Sequence, residues 1–319
     1  MIVVLTGGTG GAKFIQGLVQ VVPAAQITAI VNTGDDLLWW GLHVSPDLDS
    51  VTYAMAGLLS QERGWGVDGD TFDCLRAIER LGAPAWFQLG DQDLAVHLMR
   101  TQLLAQGKTL SEASDIIARG LGVASRLLPM TDASVETRVT TPTSDLSFQE
   151  YFVRERWQPE VSDVRFVGAE AARPAPGVLE AIHKADALLV APSNPITSIG
   201  PILAVPGLRE ALRHTPAPVA AVSPIVGGAA VSGPAGKLMK SRGLPVSIEG
   251  VTRAYADFLD VLIIDEQDAS AASGVESLGI RVSATNTIMR SAADKATLAE
   301  ATLEAATSIC SQSEFSAGV

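Results

Sequence analysis

Cysteine is nearly absent from this chain of 319 residues, and the two present, Cys74 and Cys310, stand far apart with no metal-ligand spacing. That excludes a disulfide framework and a thiolate metal site, and both are read as free thiols in a reducing cytoplasm. Histidine is almost as scarce: His43, His97, His183 and His214 have no partner at catalytic spacing, so a Ser-His-Asp hydrolase finds no support. Positive charge is short as well. The 23 Lys and Arg face 35 Asp and Glu, a net charge of −12, which argues against a nucleic-acid or anionic-membrane surface. No stretch reaches the roughly 18 uninterrupted apolar residues of a membrane span, and no basic segment precedes the apolar N-terminus. A soluble, cytoplasmic protein is expected.

What the chain does have is apolar residues, 47% of it, ample for a buried core of one large or two ordinary domains. The β-branched run Met1–Leu5 leads straight into Thr6-Gly7-Gly8-Thr9-Gly10-Gly11-Ala12-Lys13 and then a helical pattern from Phe14. Strand, glycine loop and helix in that order bring backbone N–H groups and a helix N-terminus to one point, where an anion such as phosphate is favoured. A tight structural turn is the alternative. The loop is neither a P-loop, since Phe14 follows Lys13, nor a regular G-x-G-x-x-G.

A second buried strand, Gln26–Val31, ends in Asn32-Thr33-Gly34-Asp35-Asp36, so an α/β sheet is under way and the two loops should share the rim at its carboxyl end. Helical patterns over Val51–Gln61, Thr71–Leu81, Leu94–Gln106 and Glu112–Leu121 read as an insertion, and alternating runs within Arg126–Trp157 as a β-hairpin or small sheet. Strand and helix alternation resumes at Val164–Gly168 and continues through strands Ala187–Ala191, Val219–Val222 and Val261–Ile264, an edge strand at Ile280–Val282, and a closing helix over Ala293–Ile309. Gln312–Val319 is expected to fray. The fold class is therefore α/β, with a Rossmann-like, mostly parallel sheet from residues 1–49 and 160–319 and a mainly helical insertion with a small β-hairpin region over 50–159.

Four aspartates, Asp35, Asp36, Asp47 and Asp49, crowd into fifteen residues beside the glycine loop. Carboxylates gathered on a phosphate-binding rim call for a divalent cation, and Mg²⁺ takes one or two carboxylates plus phosphate oxygens. Asp47 or Asp49 capping a helix near Ser50 is the alternative. Ser193 and Asn194 follow a buried strand and should reach the same rim. Lys237, early in a helix after a third glycine-rich loop, is either a phosphate contact or a solvated lysine. Asp91 or Asp93 reads as a helix cap, His97 as an isolated histidine, and Trp39, Trp40 and Trp65 as either ring-stacking or core residues.

Taken in order, Gly7–Lys13, Asn32–Asp36, Ser45–Asp49, Arg63-Gly64-Trp65-Gly66, Leu89-Gly90-Asp91, Pro192–Pro195 and Ser223–Gly227 resemble the 2-phospho-L-lactate transferase family of coenzyme F420 biosynthesis across nearly the whole chain. The resemblance implies transfer of a phospholactyl, enolpyruvyl-phosphoryl or phosphoglyceryl group from a guanosine diphosphate-linked donor to the deazaflavin Fo, with release of GMP and Mg²⁺ as cofactor. It implies Asp49 and Asp47 as the catalytic carboxylates, and Asp35, Asp36 and Asp49 as metal ligands. Substrate contacts fall to Gly8, Thr9, Gly10, Gly11, Lys13, Asp49, Gln88, Gln92, Ser193, Asn194 and Lys237. Gln92 stands where a basic residue is expected, which bears on fine specificity. Asp49→Asn is expected to keep the fold and abolish transfer. A homodimer is the default assembly. Two other readings are a non-enzymatic nucleotide-sugar-binding regulator on a related fold and a nicotinamide-dependent oxidoreductase, the latter disfavoured by the irregular glycines and the second acidic cluster.

Overall fold

The computed structural model describes residues 1–316, with side chains through residue 309. The expectations for the Cys310 thiol and for fraying of the last residues fall outside the described side chains.

Seven parallel strands form the central sheet: β1 (Ile2–Thr6), β2 (Ile27–Val31), β3 (Arg126–Pro129), β4 (Ala187–Val190), β5 (Val219–Val222), β6 (Val261–Asp265) and β7 (Arg281–Thr285). Their spatial order is 7-6-5-4-1-2-3, and every neighbouring pair is parallel. The near-continuous apolar runs of β1, β2, β4, β5 and β6 suit strands covered on both faces. The chain leaves β1 toward β2 and β3, then returns to β4 on the other side, so β1 and β4 flank the switch point outside whose carboxyl ends ligands bind in such sheets.

One face is covered by α1 (Gly8–Val21), α2 (Pro46–Ala56) and the C-terminal helix Ala292–Ser316, whose Phe14, Leu18, Val51 and Leu298 meet Val4 and Leu189 of the sheet. The C-terminal helix lies against α1 at Gly17, where a Cβ would stand only 2.0 Å from the Lys295 carbonyl oxygen. Glycine there sets the spacing of the two helices. The other face packs Val3, Leu5 and Val190 against Val178, Leu208 and Tyr255. No helix among the described residues is long and apolar enough to cross a membrane.

The insertion supplies α3 (Asp73–Arg80), α4 (Asp91–Ala105) and α5 (Leu110–Gly120), close to expectation. Helix α2 differs. It starts at Pro46 rather than Val51 and stops at Gly57, whose φ of 72° breaks the helix, so Asp47 and Asp49 occupy its first turn instead of a loop. Arg126–Pro129, read as part of a hairpin, is the edge of the central sheet, paired with β2. Val164–Gly168, read as resuming that sheet, instead lies in a three-stranded antiparallel sheet of Asp145–Ser147, Glu136–Thr140 and Asp163–Val167. Short alternating runs carry no information about which sheet they join, which is why both assignments failed. Phe148–Arg154, read as a strand, coils instead, with Glu150–Arg154 in a wide helical turn. Between β4 and β5 run two short helices, Gly200–Ala204 and Leu208–Arg213, the second preceded by Gly207 with φ 90°.

Candidate active site

At the carboxyl end of β1 the chain turns directly into α1. Gly10 is pressed onto the β4 loop: a Cβ would lie 2.4 Å from the Pro192 carbonyl oxygen. Ser193 stitches the same two loops together, its hydroxyl donating to the Gly7 carbonyl at 2.7 Å and accepting from the Gly7 N–H at 3.3 Å. The first turn of α1 holds no acid; Asp47 takes the Gly8 N–H, and the N–H groups that follow it remain available to an anion in the cleft.

The acidic loop is joined to this cradle through Asn32. Its amide donates to Asp47 at 2.9 Å and to the Thr197 carbonyl at 3.3 Å, while its carbonyl accepts from the Gly34 N–H at 2.8 Å. The Asp47 carboxylate lies so close to Gly7 that a Cβ there would be 2.5 Å from Oδ2. Burial pushes Asp47 up to about 6, although the Asn32 amide and the Gly8 N–H work the other way. Burial, then the charge of Asp47, also holds Asp35 well above the usual carboxylate range. One Asp35 oxygen is buried with no hydrogen-bond partner. Two crowded carboxylates, one with an orphaned oxygen, beside an anion-binding loop form a hard-oxygen donor set that suits Mg²⁺. Asp36 is part-buried and raised by burial; one of its oxygens accepts from the Ser45 hydroxyl at 2.7 Å, the other has no partner, and it does not line the cleft.

A second cluster was not anticipated. Asp93, His97 and Arg100, spaced i, i+4 and i+7, turn one face of α4 onto Asp49 and Tyr53 of α2, and all five are buried. Arg100 grips both oxygens of Asp49, one contact being 3.1 Å. The Tyr53 hydroxyl donates to Asp93 at 2.5 Å, and His97 places Nδ1 3.5 Å from Asp49 and Nε2 3.4 Å from Asp93. Burial opposes the charge of Asp93, yet the neighbouring His97, the hydrogen bond from Tyr53 and the charge of Arg100 hold it below the usual range. Asp49, Asp93 and His97 bring ligand atoms within 4.8 Å of one another. Arg100 already neutralises Asp49 there, so the carboxylates most in need of a cation are Asp35 and Asp47.

The helix-cap reading of Asp91 and Asp93 is corrected. Asp70 caps α4, accepting from the N–H groups of Gln92 at 2.9 Å and Asp93 at 3.1 Å. Asp91 caps α3 instead, accepting from the Thr71 hydroxyl and the N–H groups of Asp73 and Cys74. The sequence signal for the cluster was the polar i, i+4, i+7 stripe, hidden by treating His97 alone.

Both clusters open into one cleft of about 1040 Å³. Gly8, Thr9, Gly10, Lys13, Asp35, Asp47, Asp49, Gln88, Ser193 and Asn194 line it. Gly11 lies under the loop against Thr6 and Ser193. Gln92 is exposed and off the cleft, and Lys237 spends its ammonium on the carbonyls of Trp157 and Gln158, at 3.2 and 2.8 Å. Aromatic side chains wall the cleft as well, Trp65, Trp86, Phe87, Phe148, Phe152 and Trp157, whereas Trp39 is core.

A family model described as 2-phospho-L-lactate transferase CofD matches residues 2–297. The chain is 45% identical over 311 residues to a phosphoenolpyruvate transferase of Streptomyces griseus, covering 96% of this chain and 98% of the other. It is 44% identical over 299 residues to a 2-phospho-L-lactate transferase of Methanothermobacter thermautotrophicus, covering 94% and 96%. Among solved structures, a UPF0052-family protein of Bacillus halodurans superposes with a TM-score of 0.65 at 18% identity, covering 95% of this chain and 98% of that one, a likeness of fold.

Proposed function

The chain belongs to the 2-phospho-L-lactate transferase family, transferases of coenzyme F420 biosynthesis, and from that premise we propose that it transfers a phospholactyl-type group from a guanosine diphosphate-linked donor to the deazaflavin Fo. The group carried is lactate, enolpyruvate or glycerate linked through phosphate. The product is an F420-0-type molecule and the leaving group is GMP. The observation that carries this reading is the single cleft in which a phosphate-type glycine loop, an acid pair and an aromatic wall meet.

In this reading the α1 N-terminus and Lys13 hold the diphosphate, and Gly10 seats that loop against Pro192. Asp35 and Asp47 would hold Mg²⁺, which when bound supplies positive charge against the phosphate oxygens and the leaving GMP. Asp49, fixed by Arg100, accepts a hydrogen bond from the attacking hydroxyl of Fo and takes up its proton. The new oxygen–phosphorus bond forms to the acyl-side phosphorus as the bond to GMP breaks, with the electron pair leaving on GMP. Positioning carries most of such a transfer. A homodimer is part of the same proposal, as the commonest closed assembly.

Incubation with Fo, Mg²⁺ and each of the three donors, followed by mass spectrometry, tests this. The expected result is one F420-0-type product with stoichiometric GMP, lost in EDTA and restored by Mg²⁺. Binding of Fo or a nucleotide sugar without turnover of any donor would overturn the transferase in favour of a binding protein.

A further inference from the structure

Lys237 was a candidate phosphate contact, but the structure commits it elsewhere. Its ammonium donates to two backbone carbonyls, Trp157 and Gln158, and pairs with Glu160 at 3.3 Å, which uses up its three hydrogens. The segment it holds is conformationally unusual. Arg156 and Trp157 both adopt left-handed backbone, with φ of 50° and 46°, although neither is glycine. Residues held this way need surroundings that over-determine them, and they concentrate at ligand clamps.

The consequence of that backbone is a stack of rings. Trp157 lies on Phe152 at 5.1 Å and 19°, and Phe152 lies on Phe148 at 5.4 Å and 6°. All three rings line the cleft, and Trp157 keeps 38% of its surface exposed at the end of the stack. Arg156 lines the cleft beside it, with no hydrogen-bond or ion-pair partner for its guanidinium among the described residues. Helix Ala235–Ser241, which carries Lys237, borders the same cleft through Pro234 and Ala235. Lys237 therefore ties two walls of the cleft together through the strained pair.

We infer that Lys237 is a positioning residue: it holds Arg156 and Trp157 in left-handed backbone so that the Trp157 ring and the Arg156 guanidinium recognise a planar heteroaromatic ring carrying an adjacent anionic group. The ligand assignment rests on the proposed function, in which both the guanosine donor and the deazaflavin acceptor bring a planar ring. The strap itself stands on the contacts alone.

The test compares wild type with Lys237→Met, Lys237→Arg, Trp157→Ala, the double variant K237M/W157A, and Lys240→Met as an exposed lysine on the same helix. Fo and GDP are titrated separately by fluorescence, and KM and kcat follow with the donor that reacts. Lys237→Met is expected to weaken one ring-bearing ligand by about tenfold, with kcat within about twofold of wild type. Lys237→Arg should recover most of that loss, because guanidinium can still donate to both carbonyls. The double variant should be no worse than Trp157→Ala, since Lys237 acts through that ring. The ligand that weakens, Fo or GDP, names the ring recognised. Additive losses with GDP would overturn the inference in favour of direct phosphate binding, and unchanged affinity for both ligands would overturn it outright. Trypsin provides the arm independent of function. Cleavage after Arg154 or Arg156 should accelerate in Lys237→Met and not in Lys240→Met. Failure of both ligands to bind wild type, with accelerated cleavage in Lys237→Met, would sink the functional reading and keep the strap; unaccelerated cleavage sinks the strap.

Discussion

Arg100 of α4 grips the carboxylate of Asp49 of α2 across 51 residues of sequence, and both side chains are buried, Arg100 at 2% exposure and Asp49 at 4%. The pair links the insertion to the sheet layer at the edge of the cleft. It also changes what substitution of Asp49 should do.

Removing one partner of a buried ion pair strands the other charge, which typically costs about 3–5 kcal/mol. Arg100→Met is expected to lose stability on that scale in urea unfolding. Asp49→Asn, harmless to the fold on sequence grounds, should also destabilise, because Arg100 then lacks its counter-charge. D49N/R100M should regain much of the stability. Transfer activity should stay about 10²–10⁴-fold down in every variant lacking the Asp49 carboxylate, and near-wild-type turnover in any of them would dismiss its assigned role.

Asp47 supplies a pH signature. Its folded value, about 6, lies above the ordinary 3.8, so the native state holds a proton that the unfolded chain has already released. Stability is therefore lost as pH rises from about 4 to about 6 and stays lost above that, on the order of 2–3 kcal/mol. Asp47→Asn, which can still accept from Asn32, should raise the melting temperature of the ligand-free protein at pH 8. The gain should shrink through that window and vanish below about pH 4. Equal melting at pH 8 would contradict the burial argument. Activity should fall in the same variant, since the cation loses a ligand.

Gly10→Ala places a methyl group 2.4 Å from the rigid Pro192 carbonyl, so the glycine loop or the β4 loop must move. A loss of about 1–3 kcal/mol is expected. Donor KM should rise as well, because the same displacement opens the anion cradle. An unaltered KM would show that the loop does not bind the donor.

Asp70→Ala should cost about 0.5–2 kcal/mol through loss of the α4 cap, and should disturb activity by unseating Asp93, whose N–H it holds. Gln92 gives the contrast. Only its backbone N–H is engaged, and its side chain lies outside the cleft, so Gln92→Arg should leave donor KM within about twofold. A larger change would return Gln92 to the specificity determinants.

The sequence by itself determined the strand, glycine loop and helix of residues 2–21, the apolar strands of a parallel sheet, and the placing of Asp35, Asp47, Ser193 and Asn194 at its carboxyl rim. These follow from periodicity and turn chemistry acting over a few neighbouring residues, so they are legible one window at a time. The tertiary structure alone decided that Arg126–Pro129 completes the sheet, that Asp93, His97 and Arg100 meet Asp49 and Tyr53, and that Lys237 serves Trp157, 80 residues away, instead of a phosphate. Each of those choices sets a local motif among several surfaces it could equally have met. The selection is made by how the helices of the insertion and the antiparallel sheet dock around the cleft, a property of the whole packed chain that no short stretch of it carries.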